Sequence, residues 1–192
     1  LFKTLIKSSV LFALIMATYS LSAQPTIEWQ KCYGGGYSEI AYSIMQTSDD
    51  GYIIAGNSNS KVSGNITLNH GGFDSWIVKI NSSGVIQWQK CLGGSGDDRA
   101  NSIHPTTDGG YIFAGFTTSN DDDVTGNHGS YDCWVVKLNS SGVIQWQKAL
   151  GGTGDDRATS IKPTTDGGYI FAGYTTSNNG DVSGNNGGND CW

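Results

Sequence analysis

The chain repeats one unit three times with small changes, and this periodicity limits its fold more than any single residue does. GVIQWQK stands at residues 84–90 and again at 142–148, with a relic, IEWQK, at 27–31. The tryptophans in these segments are Trp29, Trp88 and Trp146, spaced 88 − 29 = 59 and 146 − 88 = 58. DGGYIFAG fills 108–115 and 166–173, with DGYIIAG at 50–56. D-x-W recurs at 74–76, 132–134 and 190–192. A fixed period of this size marks a stacked or radial array of one supersecondary unit.

The second copy reads as four strands. Residues 100–106 end in the turn Thr107-Asp108-Gly109-Gly110, where glycine supplies the positive φ that a tight hairpin needs. YIFAGFT at 111–117 is an almost unbroken apolar run, which suits a strand buried on both faces. A long polar loop follows, then DCWVVKL at 132–138 and the turn Asn139-Ser140-Ser141-Gly142. VIQWQK at 143–148 places Ile144 and Trp146 on one face and Gln145 and Gln147 on the other, the pattern of a half-exposed edge strand. Apolar inner strands, an amphipathic outer strand and tight internal turns predict an all-β fold. It is a β-propeller of four-stranded antiparallel blades, incomplete, with about three blades in an open arc. The expected divisions are an orphan outer strand at 27–31, blades at 40–90 and 98–148, and a partial blade at 156–192, all within repeats spanning 24–192. A chain built this way leaves one apolar blade face uncovered at each end.

Residues 1–23 read as a signal peptide. Lys3 and Lys7 precede the apolar run VLFALIMA at 10–17, and Leu21-Ser22-Ala23 precedes Gln24. The alternatives are a core helix or a membrane anchor, and the run is too short to span a bilayer. The net charge is −6; cleavage removes two lysines and leaves 9 basic against 17 acidic residues, 9 − 17 = −8. An acidic chain lacks the basic face that phosphate binding requires, so no nucleic-acid partner is expected. No membrane span is expected in the mature chain. Leu1 in place of Met, and a third copy that stops at Trp192, suggest the front of a longer protein, a monomer when full length.

In an antiparallel blade the tight turns lie on one face of the ring. The long loops at 92–99 and 119–132 lie on the other, which is therefore the expected binding face. Carboxylates gather there: Asp97, Asp98, Asp132, Asp155, Asp156 and Asp190, together with Asp121, Asp122, Asp123 and Asp181. The last four, with nearby Asn and Gly, suit calcium as a hard cation with oxygen ligands. Against this, the spacing is not that of an EF-hand, Lys61 stands near the equivalent place in the first copy, and Asp and Asn equally serve turns. Asp97 and Asp98 beside Arg99, repeated as Asp155, Asp156 and Arg157, read as a structural ion pair.

Catalysis finds less support. The histidines are His70, His104 and His128; the next repeat replaces His104 by Lys162 and His128 by Asn186. There is no Gly-x-Ser-x-Gly elbow, and paired carboxylates occur only in repeated loops. Cys32, Cys91, Cys133 and Cys191 allow three disulfide pairings, yet no repeat needs its cysteines and no CxxC is present, so structural thiols are the leading expectation. Asn65, Asn81 and Asn139 head glycosylation sequons, two of them in turns where Asn and Ser are expected anyway.

The unit WQKxxGGxGDDxAxSIxxTxDGGYIxAGxT, followed by DVxGxxGxxDxWVVKL, resembles the repeat of secreted β-propeller proteins of Bacteroidota, over roughly residues 27–192. Many of those proteins end in a type IX secretion sorting domain, and none is visible here. NSSGVIQW also resembles the Asp-box turn of sialidase propellers and the tryptophan-docking repeat of quinoprotein propellers. It lacks the Asp of the first, and no quinone-site residues can be matched for the second. The function these readings imply is a non-catalytic binding or adhesion scaffold, secreted or at the cell surface, with a protein or glycan partner. The alternative is a polysaccharide-active enzyme whose catalytic residues lie in further blades.

Overall fold

The computed structural model describes residues 26–192, so the expected signal peptide at 1–23 lies outside the described residues. Eleven strands follow in chain order: β1 (Glu39–Gln46), β2 (Tyr52–Ser58), β3 (Asp74–Ile80), β4 (Ile86–Leu92), β5 (Asp98–Pro105), β6 (Tyr111–Thr117), β7 (Asp132–Leu138), β8 (Ile144–Leu150), β9 (Asp156–Pro163), β10 (Tyr169–Thr175) and β11 (Asp190–Cys191). They form three antiparallel sheets in meander order, β1-β2-β3-β4, β5-β6-β7-β8 and β9-β10-β11. Among the described residues every regular element is a strand.

The apolar runs became central strands, as their composition dictates. β6 and β7 are buried along their whole length, while β8 alternates toward solvent. Each first strand carries a bulge at Tyr42, Asn101 or Thr159, where the register to its partner slips by one residue. The facing glycine makes the bulge fit. A Cβ on Gly115 would lie 1.8 Å from the Arg99 carbonyl oxygen, and the same holds at 1.9 Å for Gly56 with Ile40 and Gly173 with Arg157.

Residues 27–31 are not a strand. Their sequence has the strand pattern, but no neighbour offers a hydrogen-bonding edge, and an unpaired extended segment is not a sheet element. Trp29 nevertheless takes the place its repeat position dictates. It packs edge-on against Tyr52 at 6.4 Å between ring centroids, as Trp88 does against Tyr111 at 5.7 Å, and Trp146 meets Tyr169 in a tilted pair at 5.8 Å.

The core lies between sheets rather than within one. Ile53, Ala55 and Ile77 of the first sheet meet Ile103, Phe113, Trp134 and Val136 of the second. Ile112, Ala114 and Val135 on the back of the second meet Ala158 and Ile161 of the third. The first strands of the three sheets lie beside one another. The Ile103 amide donates to Ser43 Oγ at 3.2 Å, the Ile161 amide to Ser102 Oγ at 3.3 Å, and Asn101 Nδ2 to the Ala158 carbonyl at 2.8 Å.

Two glutamines and a lysine tie each of the two four-stranded sheets internally. Lys137, almost buried in β7, donates to Asp108 in the first turn at 2.8 Å, to Gln145 Oε1 at 2.9 Å and to the Leu138 carbonyl at 3.0 Å. Lys79 repeats the set with Asp49, Gln87 and Ile80. Gln147 accepts from Trp134 Nε1 at 2.8 Å, and Gln89 from Trp76 at 2.9 Å. The glutamine face of the outer strand therefore serves the lysine and tryptophan of the neighbouring strand, where alternation alone suggested a solvent face.

Candidate binding face

The links between sheets and the long loops lie together on one face, and they brace each other. The second repeat shows how. In the link after β4, the amides of Ser95, Gly96 and Asp97 donate to Asp121 Oδ1 at 2.9 Å, Ser119 Oγ at 2.9 Å and Thr118 Oγ1 at 2.7 Å. The Gly93 amide reaches Asp123 Oδ2 at 3.3 Å, and the Asp123 amide returns to the Gly93 carbonyl at 3.1 Å. The third repeat copies this with Asn179, Ser177, Thr176 and Asp181. In the first repeat Asn65 does the work of Asp123 and Asp181: its Oδ1 accepts from Gly34 N at 3.0 Å and its amide donates to the Gly34 carbonyl at 2.8 Å. Asn65, not Lys61, is therefore the equivalent position. Short polar side chains that cap loop amides are what an irregular segment needs to avoid orphaned donors.

Three of the expected binding-face carboxylates are fully buried. Asp98 accepts from Thr117 Oγ1, from Ser119 Oγ at 2.7 Å and from the Gly94 amide at 2.7 Å. Asp156 is held identically by Thr175, Ser177 and Gly152. Asp132 accepts on one oxygen from the His128 amide at 2.9 Å and His128 Nδ1 at 2.7 Å. Asp74 pairs likewise with His70, and Asp190 with Asn186. The histidines thus share a bonding role with an asparagine. Asp74 and Asp132 each keep one buried oxygen without a partner, and burial pushes both carboxyls above the usual range. Burial presses His70 down, but the Asp74 carboxylate outweighs it and raises the imidazole.

The expected ion pair divides. Arg99 meets Asp97 at 3.6 Å and Arg157 meets Asp155 at 2.7 Å, while the neighbouring Asp98 and Asp156 turn inward to hydroxyls and amides. The arginines also close the seams. Arg99 lies 4.3 Å from the Phe73 ring centroid, and Arg157 lies 3.9 Å from Tyr131 and 4.5 Å from Phe116.

Asp121, Asp122 and Asp181 remain exposed on this face, with Asp97, Asp123, Asp155 and Asp190 partly so. Hydrogen bonds from Ser95 hold Asp121 below the ordinary carboxylate range, while burial pushes Asp123 above it. Asp123 sits against Gly93 and Asp181 against Gly151, one repeat apart. Among the described residues no group of three or more His, Cys, Asp or Glu is placed to hold a metal ion.

Clefts open between adjacent sheets along their outer edges. One of about 310 Å3 brings together His70, Lys90 and Asp123; its counterpart of about 320 Å3 brings together His128, Lys148 and Asp181. Sequence reading missed these groupings, although each member recurs at the repeat spacing. The four cysteines are free: Cys91 and Cys133 are buried, Cys32 and Cys191 exposed. Burial pushes the Cys91 thiol up to about 12, which makes it inert as a nucleophile. Among the described residues no helix is long and apolar enough to cross a membrane.

No protein-family model matches the chain, and no curated protein matches it.

Proposed function

We propose that the three sheets are successive blades of a β-propeller, forming an open arc about the line where β1, β5 and β9 run side by side. We further propose that the protein is a secreted or surface-displayed scaffold, binding a protein or glycan through its loop face without catalysing a reaction. The propeller reading draws support from the meander order, from the contact of first strands between sheets, and from face-to-face packing of sheet on sheet. Export rests on the sequence of residues 1–23 alone.

One observation carries the binding reading. The links and loops of successive repeats are cross-braced by a recurring set of amide-to-side-chain bonds, and they leave Asp121 and Asp122 of the second repeat and Asp181 of the third exposed, with Asp97, Asp123 and Asp155 partly so. A braced loop loses little conformational freedom on binding, so its contacts translate into affinity. The clefts holding His70, Lys90 and Asp123, and again His128, Lys148 and Asp181, offer both signs of charge at each seam. A face that repeats in this way suits a ligand that itself repeats, such as a glycan chain, through multivalent contact.

The test exposes the full chain to a glycan array and to cell-envelope extract. Retention is expected, weakened at least about tenfold in the triple variant Asp121→Asn, Asp122→Asn, Asp181→Asn. Asparagine keeps the oxygen acceptor that braces the loop and removes only the charge. Silence across both panels, or equal binding by the variant, defeats the reading.

A further inference from the structure

The cleft between the first and second sheets gathers polar groups whose bonding capacity the protein leaves unused. It lies between two complete four-stranded sheets and holds His70, Lys90 and Asp123 in about 310 Å3. Among the described residues the Lys90 ammonium takes part in no ion pair. His70 bonds through Nδ1 to the buried Asp74 at 2.8 Å. A carboxylate only accepts, so Nδ1 carries the proton and Nε2 is left for another partner. Asp123 uses Oδ2 for the Gly93 amide, which leaves Oδ1 open. Apolar side chains line the same cleft: Leu68 and Val143 are 49% and 53% exposed there, beside Leu92 and Ile144.

The next cleft repeats the polar set. His128 Nδ1 meets Asp132 at 2.7 Å, Lys148 is likewise without an ion pair among the described residues, and Asp181 Oδ2 accepts from the Gly151 amide at 3.3 Å. The chemistry of these groups selects a ligand. A hydroxyl both donates and accepts, so an ammonium and a carboxylate side by side can each bond one. Exposed apolar side chains suit the C–H face of a sugar ring. An anionic ligand is disfavoured, because the carboxylates of Asp74, Asp123 and Asp122 all act on His70 against the single ammonium of Lys90. A cationic ligand would meet Lys90 itself. The volume stands at the low end of the roughly 300–1,000 Å3 of small-molecule sites, which fits a short piece of a glycan and not a folded partner.

We propose that the seam clefts are subsites for single residues of a neutral glycan. This rests on the scaffold reading above and selects the glycan from its two classes of partner. In the first cleft Lys90 donates to a sugar hydroxyl, Asp123 Oδ1 accepts from one, and Leu68 and Val143 support the ring. Lys148 and Asp181 take the same parts in the second. Each subsite alone is shallow in contacts, and a glycan that occupies successive seams gains by holding both at once.

Proton NMR of the full chain tests this during titration with short cello-, xylo- and manno-oligosaccharides, and with oligogalacturonides as the acidic arm. The expected result is that a neutral oligosaccharide shifts the ring signals of His70 and His128 and leaves that of His104, which lines neither cleft. Lys90→Met with Lys148→Met should weaken this binding at least about tenfold, with an unchanged urea midpoint because neither ammonium is paired in the fold. Val143→Asp, at an exposed position of the first cleft only, should suppress the His70 shift and spare that of His128. The assignment is overturned if no neutral oligosaccharide moves His70 or His128, if oligogalacturonides move them at lower concentration, or if the lysine variant binds equally well. Those results leave the scaffold reading standing wherever the loop face still retains an envelope component. Silence on both the glycan array and the extract defeats the two together.

Discussion

The middle sheet and the first sheet carry nearly the same residues in the same order, yet one is interior and the other is half surface. Ile103 is 0% exposed and Ile44 is 57% exposed in equivalent positions. The difference teaches that, in an array, hydrophobic stabilisation belongs to the seam between repeats rather than to the repeat itself. It can be broken most directly by truncating both isoleucines. Ile103→Ala should cost about 2–5 kcal/mol, since the closely packed seam cannot collapse around the space left. Ile44→Ala should stay within about 0.5 kcal/mol when measured by urea unfolding. Equal costs would show that the two sheets are buried alike in solution.

A second comparison sets the first two sheets against the third. Asp49 and Asp108 bind a buried lysine, whereas Asp166, in the same turn, is held by the Thr164 hydroxyl and the Gly168 amide. The hydrogen bond from Lys79 draws the Asp49 carboxyl down to about 2, and Lys137 draws Asp108 down in the same way. A carboxyl lowered from an unfolded value of about 3.9 contributes stability above that pH and loses it as pH falls through the folded value. Raised carboxyls such as Asp74 and Asp132 act in the opposite sense, gaining as pH falls. The gap in urea midpoint between wild type and the double variant Lys79→Met, Lys137→Met should therefore narrow between about pH 4 and pH 2. The variant should show the shallower decline, because its turns keep only the hydroxyl and amide bonds that Asp166 has. Parallel curves would mean that the lysines do not hold these turns.

The smallest expected effect lies at a single turn residue. Asp50 takes φ +60° where Gly109 and Gly167 take +79° and +87°. Asp50→Gly relieves a left-handed side-chain conformation but frees the unfolded chain, so the net change should be a gain of under about 1 kcal/mol in thermal or urea unfolding. A clear loss would mean that the Asp50 carboxylate contributes something its glycine counterparts cannot.

Much of this structure was legible beforehand. YIFAGFT and DCWVVKL became β6 and β7 with the expected ends, because a buried strand bounded by turn residues leaves a continuous apolar run. The outer strand was correctly placed and ran two residues further, to Leu150. The candidate face was legible only as a concentration of carboxylates. Asp97 and Asp98 look alike in sequence, but strand alternation sends one to solvent and Arg99 and the other into a cluster of hydroxyls and amides. The set of Lys137, Asp108 and Gln145 went unread because its members come from three separate segments, although each recurs one repeat away. Residues 27–31 show the converse: the pattern of a strand was there, the partner was not.

Repetition of turns, apolar runs and glycines at a period of 58 or 59 residues was enough, without coordinates, to specify four-stranded antiparallel sheets, because those signals act between residues close along the chain. Which carboxylates are hidden, which isoleucines are bare and where the clefts open depended on how one sheet lies on the next. Those outcomes are set by contacts between residues nearly sixty apart, and the same local sequence meets a neighbour in one repeat and water in another.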